Sequence, residues 1–415
     1  MKNFFRYNVV IALLTLAALF QLAAAQQSPS NAVNQEGLEY RFDITVDFRT
    51  MTQADGADNC LPVTVEVSQS AHLLKQLSWP IDKHYSQFKA DGVLEQTNGK
   101  WHWEVPELGG KLVYCVQLNH SRGERYDSRV TTDWALFRAD DLVPAANSRV
   151  RRDSRSRTQL QFLLPPSWSS VTRYPEISEH HYAIDNPDRL FDRPTGWVQL
   201  GKLGVRRNRI ADTNVAVSAP VGQEVRRLEI LTMLGFTVPT VREWFPDFPD
   251  RLLVVSATDN MWRGALSGPG SLFLHGDRPL VSENGTSTLL HELVHVAMQR
   301  EATRDADWID EGLAEYLALV LLNQSGGITD HRFKTALEEQ QRWGDTVKKL
   351  ASKNSKGAAT AKAVTVFANL HNELGDGKFR ELISVLAERG PSISAALLRQ
   401  LAEKVANRPI QSIPE

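Results

Sequence analysis

The chain has 415 residues, 42% of them hydrophobic and 23% charged, with 47 Lys and Arg against 49 Asp and Glu. That composition suits two or three packed domains and excludes a disordered or low-complexity chain. A formal net charge of −2 gives no basis for nucleic acid as a partner.

The first residues, MKNFFRYNVVIALLTLAALFQLAAAQQ, place Lys2 and Arg6 before an apolar run that ends in Ala23-Ala24-Ala25. A basic start, an apolar middle and small residues before a polar stretch predict a secretory signal peptide over 1–25, cut after Ala25. The alternative, an uncleaved anchor, needs a longer run without Gln21. No cysteine follows the run, which argues against a lipid anchor. Cleavage removes two basic residues and no acid, taking the formal charge from −2 to −4. No later apolar run nears spanning length, so the mature protein is expected to be secreted or periplasmic, without a membrane span.

From Gly37 to about Thr195 the pattern alternates as strands do, in YRFDITVDF (40–48), LPVTVEV (61–67), KLVYCVQL (111–118) and TQLQFLLP (158–165). Turn signals such as Asn98-Gly99 and Gly109-Gly110 separate these runs, so residues 37–195 are expected to form an all-β, sandwich-like domain. Cys60 and Cys115, the two cysteines of the chain, both fall here. In an exported protein they are expected to form a disulfide rather than to bind metal. The stretch Arg149, Arg151, Arg152, Arg155 and Arg157 is expected to be an exposed loop, with processing or docking as its functional reading.

After Pro194-Thr195-Gly196 the texture changes. Strands are predicted at 197–203, 214–220, 251–257 and 271–276, with a helix from about Gly222 to Leu234 among them. Helices are then predicted at the HELVH segment and around 310–323, 330–343, 361–374 and 376–388. A small sheet followed by helices makes residues 196–415 an α+β unit with a mostly helical C-terminal part.

Within it stand HELVH at 291–295 and DEGLAEY at 310–316. Residues four apart on a helix lie about 40° apart around its axis and one turn apart along it, so His291 and His295 can reach one metal ion. Glu292 falls on the edge of that face, where it can take a proton from a water. Glu311 opens a second apolar-periodic segment and can supply a third ligand. Two imidazoles and a carboxylate with one open position describe a catalytic site for one Zn2+ ion. The expected chemistry is hydrolysis by a metal-activated water with Glu292 as general base.

At these residues the chain resembles the gluzincin zinc metallopeptidases, in particular the branch of the alanyl and glycyl aminopeptidases. There the second element reads much like W-x-x-E-G-x-x-x-Y, matched here by Trp308, Glu311, Gly312 and Tyr316. The resemblance implies a thermolysin-like catalytic domain behind an N-terminal β domain, and a peptide or protein substrate. It also implies that Glu315 orients His291, and that Gly270–Leu274 is the sheet edge that adds an extended peptide as another strand.

Two departures qualify it. The stretch Ala265–Ser271 holds no acid where that branch captures a free amino terminus. Thr360 stands where its oxyanion-stabilising tyrosine would be, and no tyrosine follows Tyr316. His371 and His331 are the candidate replacements, with His275 near the presumed edge. The departures keep open both an aminopeptidase and an endopeptidase, and, as a different class, a catalytically weak or inactive gluzincin-fold scaffold of the cell envelope. The oligomeric state is left open.

Overall fold

In the computed structural model the described residues are 38–49, 60–186, 190–258, 260–299, 301–302, 306–350, 353–388 and 392–414. The signal-peptide reading of residues 1–25 lies outside them. No described helix is long and apolar enough to cross a membrane.

The N-terminal region is all β. A seven-stranded sheet runs in the order Glu176–Ser178, His181–Ile184, Arg155–Leu163, Glu39–Asp47, Leu61–Gln69, Gly109–Val116 and Tyr85–Ala90. Its central strands alternate strictly, so that Tyr40, Phe42, Ile44 and Val46 are buried while the residues between them are not, as one packed face demands. A four-stranded sheet (Asn147–Val150, Leu74–Pro80, Lys100–Glu104, Val93–Thr97) adds Trp79 and Trp103 to the same core. The arginine-rich stretch is not a loop. Arg149 lies in the strand Asn147–Val150 and Arg155 and Arg157 in Arg155–Leu163, with only Arg151 and Arg152 in the turn, and all five are exposed. Alternation survives there because Val150, Thr158 and Leu160 carry the inward face while arginine fills the outward one.

Cys60 and Cys115 form a disulfide with Cα atoms 5.3 Å apart, across the pairing of Leu61–Gln69 with Gly109–Val116. It closes a loop of 55 residues, for which chain-entropy arguments give about 2–4 kcal/mol. Replacing both cysteines by serine is expected to lower the stability of the β region by about that amount in a denaturant titration. Zinc affinity should stay unchanged, because the β region has a core of its own. A loss of zinc affinity in that variant would contradict this separation.

The strand Trp197–Gly201 pairs with Trp134–Arg138 in another five-stranded sheet of the β region. The sheet of the second region begins at Leu203. Its order is Leu203–Ile210, Thr213–Pro220, Arg251–Ala257, Ser271–His275 and Ala265–Gly268. The two sheets pack through Trp134, Leu136, Trp197, Leu253, Val255 and Phe273, and Gln199 Nε2 donates to Ser256 O in the interface at 2.9 Å.

Ser271–His275 is therefore interior, parallel to Arg251–Ala257 on one side and antiparallel to Ala265–Gly268 on the other. The expected edge at Gly270–Leu274 is corrected to Ala265–Gly268. A two-residue turn at Pro269-Gly270, with Gly270 at φ +55°, folds the outer strand back.

Among the described residues seven helices follow the sheet or lie within it: α1 (Arg227–Trp244), α2 (Thr288–Met298), α3 (Asp307–Gln324), α4 (Asp330–Gly344), α5 (Ala358–Leu374), α6 (Asp376–Glu388) and α7 (Ala395–Ala406). Helix α1 starts later than predicted and runs ten residues further, past Pro239, whose ring sits on the exposed face. Helix α7 has no counterpart among the helices expected from the sequence. These helices share one core with the inner face of the sheet, including Val217, Val254, Leu293, Leu313 and Phe367.

Candidate active site

Helix α2 is fixed at its start by Ser287, whose hydroxyl accepts from Leu290 N at 3.3 Å, relieving one unpaired amide of the first turn. It ends at Gln299, a left-handed residue whose N–H returns to His295 O. Leu289, Leu290, Leu293, Val294 and Val296 are buried in the core. That apolar anchoring leaves His291 and His295 on the side turned toward α3.

Helix α3 is almost wholly buried from Gly312 to Leu322. Its first turn is tied down by Asp307, whose carboxylate accepts from Ser355 N at 2.6 Å. Gly312 lets the helix lie directly on α5, since a Cβ there would come within 2.4 Å of the Ala363 Cβ. Overpacking of this kind costs about 1–3 kcal/mol, against a helix-propensity gain of about 1 kcal/mol for Gly→Ala. We expect Gly312→Ala to be destabilised by up to about 2 kcal/mol in chemical unfolding and to bind zinc more weakly, because Glu311 must move with the helix. Stabilisation by the full propensity gain would show that the helices are not in contact there.

These supports bring the ligand atoms of His291, His295 and Glu311 within 4.8 Å of one another. The two Nε2 atoms are 3.2 Å apart. Glu311 reaches His291 Nε2 at 3.4 Å and His295 Nε2 at 3.7 Å. Glu315, one turn further on, is 2.9 Å from His291 Nδ1. With Nδ1 donating to Glu315, the Nε2 lone pair of His291 faces the lone pair of His295 across the gap. Two imidazole nitrogens and a carboxylate turned toward one point suit a divalent cation of the zinc type.

The carboxylates around the two imidazoles call for positive charge at this point, which either a proton on His291 or a divalent cation can supply. Burial opposes charge on His291, yet its hydrogen bonds to Glu311 and Glu315 outweigh burial and raise its pKa well above the ordinary value. Burial, together with the His291 charge, pushes His295 down to about 4. Burial would raise Glu311, but the hydrogen bond to His291 and the adjacent imidazoles hold it below the usual carboxylate range, with a lesser contribution from Lys356. Glu292 is 8% exposed. Burial lifts its carboxyl above the usual range against the opposing His291 charge and the hydrogen bonds to Ser267. Ser267 belongs to the edge strand Ala265–Gly268, so the base faces that strand, a contact for which the sequence gives no signal.

The other predicted histidines are engaged elsewhere. His371 is bonded to the Tyr316 hydroxyl at 2.7 Å and to Asp376 at 2.6 Å, and it stacks on Phe379. Both ring nitrogens are thus committed to holding α3, α5 and α6 together. His275 is 1% exposed and bonds Thr258 O and Asp277 N through its two nitrogens. His331 stands exposed in the first turn of α4. Among the described residues none of the three makes a polar contact with the triad. Thr360 shares a hydrogen bond with Ser355 at 3.2 Å.

No protein-family model matches this sequence, and no curated protein matches it in sequence. Solved structures do. An aminopeptidase N family protein from Idiomarina loihiensis superposes with a TM-score of 0.61 and 14% identity, over 84% of this chain and 70% of that one. An M1 zinc metallopeptidase from Deinococcus radiodurans gives a TM-score of 0.56 and 17% identity over 91% of this chain and 94% of its own. A mutant of the latter, bound to a Tyr-ser-ala substrate, matches at 0.56 and 17% over 91% and 95%. This chain has the gluzincin, aminopeptidase-like fold of the M1 zinc metallopeptidases.

Proposed function

We propose that this protein is an exported zinc metallopeptidase, secreted or periplasmic, that hydrolyses peptide bonds with Glu292 as general base. The observation that carries the reading is the convergence of His291, His295 and Glu311 within 4.8 Å, with Glu315 on His291 and Glu292 beside them. One Zn2+ ion held by those three residues would supply Lewis acidity at the reacting carbonyl and water. Glu315 fixes the His291 tautomer. Glu292 accepts a proton from the attacking water at its carboxylate and delivers it to the leaving amine. The strand Ala265–Gly268 is the sheet edge beside Glu292, and an extended peptide can pair along such an edge.

A second reading, a weakly active or inactive scaffold with the same fold, is favoured by one observation. By the resemblance Thr360 falls where that branch carries its oxyanion tyrosine, and its hydroxyl is bonded to Ser355. Loss of one oxyanion donor costs about 10²–10³ in rate. The deciding experiment incubates mixed peptide libraries with the zinc-loaded mature protein and with Glu292→Ala. Cleavage by the first and not the second supports the peptidase, and the cut positions separate amino-terminal trimming from internal cleavage. Identical profiles from both proteins would favour the scaffold.

A further inference from the structure

Behind the second sheet lies a cleft of about 470 Å³ that plays no part in the proposed hydrolysis. One wall is the loop after Ser169–Val171, carrying Arg173, with Glu176 at the start of the strand Glu176–Ser178, and the other is the sheet's outer hairpin with the start of the next strand. Three arginines on that second wall are placed by register. Arg209 pairs with Asn214, which pairs with Arg251, and one step along the ladder Arg207 pairs with Ala216 and then Leu253. Residues paired in register share a face, so Arg207, Arg209 and Arg251 lie with Ala216 and Leu253. Those two pack toward the β region, whereas Val217 and Val254 point to the helices. The cleft is thus on the opposite side of the sheet from α2 and α3.

Little in the structure neutralises these charges. Arg209 has an ion pair with Asp212 at 2.9 Å. Arg173 donates through Nη2 to Tyr174, Asn186 and Thr195, all neutral, and lies over the Tyr174 ring at 4.3 Å. Its Nε is buried with no hydrogen-bond partner. Among the described residues Arg207 and Arg251 form no ion pair, and Glu176 is the one carboxylate lining the cleft. No arginine of the three stands directly opposite another, but Arg207, Arg209 and Arg251 share one face, and like charges so grouped repel one another unless a counter-charge joins them. A guanidinium is also the side chain best matched to carboxylate and phosphate.

We propose that this cleft is a binding site for a small multivalent anion, a molecule bearing at least two carboxylate or phosphate groups, gripped by Arg173 from one wall and by Arg207 and Arg251 from the other. The proposal is independent of the hydrolytic reading.

The test is titration calorimetry of the zinc-loaded mature protein at low salt with two probes, tricarballylate for carboxylates and fructose 1,6-bisphosphate for phosphates. At least one is expected to bind with unit stoichiometry, and the stronger one names the preferred group. Arg207→Gln with Arg251→Gln should weaken it at least about tenfold, as loss of charge-assisted hydrogen bonds requires. Arg207→Lys with Arg251→Lys, which keeps the charge and removes the fork, should fall between. Both positions are exposed, so thermal melting and zinc content should match the parent protein. Failure of both probes to bind, or a loss smaller than about tenfold in the Gln variant, would overturn the assignment.

Discussion

Glu292→Gln is expected to lower kcat on any peptide the protein cleaves by about 10²–10⁴-fold, the usual worth of a positioned general base, while zinc content is unchanged. Glutamine keeps the volume and one acceptor for Ser267 but takes no proton. Stability separates this from damage to the fold. The carboxyl is 8% exposed and burial raises its pKa, so the native state bears a cost for holding it charged at neutral pH. Removing the charge should leave the variant as stable as the parent or more so. The parent's rate should fall as pH drops, because protonation of Glu292 removes the base, and that limb should be missing from the residual activity of the variant. A Gln variant that turned over at the parental rate would end the assignment of Glu292.

What the sequence discloses of this site divides along a physical line. His291, His295, Glu311 and Glu315 are legible because helical periodicity converts spacing into position, and helices α2 and α3 form close to where that periodicity puts them. Glu292's partner is not legible. Ser267 reaches it only through the stacking of a helix on a sheet edge, a contact between residues 25 positions apart with no shared period.

The position of the edge is hidden in the sequence for a related reason. Ser271–His275 is a wholly buried apolar run, and such a run reads alike in the middle of a sheet or beside a covered edge. The sign that a further strand precedes it was the Pro269-Gly270 pair, a hairpin signal between two short runs. The histidines proposed for the oxyanion show the limit of residue type as a guide. His371 is engaged on both nitrogens by Tyr316 and Asp376, partners 55 and 5 positions away in the chain. Nothing in a sequence distinguishes an imidazole used as a tie between helices from one left free for chemistry.

Zinc binding should rank the surrounding carboxylates, with Glu311→Gln losing more affinity than Glu315→Gln. A four-ligand structural zinc site binds with roughly 10–16 kcal/mol, so each ligand is worth about 3 kcal/mol and its loss about 10²-fold in affinity. An orienting partner of a ligand is worth about 10–100-fold. Glutamine at 315 can still accept from His291 Nδ1 through its amide oxygen, which places that variant at the low end. The ranking is readable without activity, because a ligand that binds only the native state stabilises it by RT ln(1 + [L]/Kd). At a zinc concentration near 1,000 Kd for the parent, stabilisation is about 4.1 kcal/mol. A 10²-fold loss removes about 2.7 kcal/mol of it, and a tenfold loss about 1.4 kcal/mol. Melting curves at fixed zinc should therefore order the proteins as parent, Glu315→Gln, then Glu311→Gln, with the three curves drawn together by a chelator. If the order of the two variants were reversed, Glu315 would be the ligand, and Glu311, which lies 3.4 Å and 3.7 Å from the two imidazoles, would be only a counter-charge.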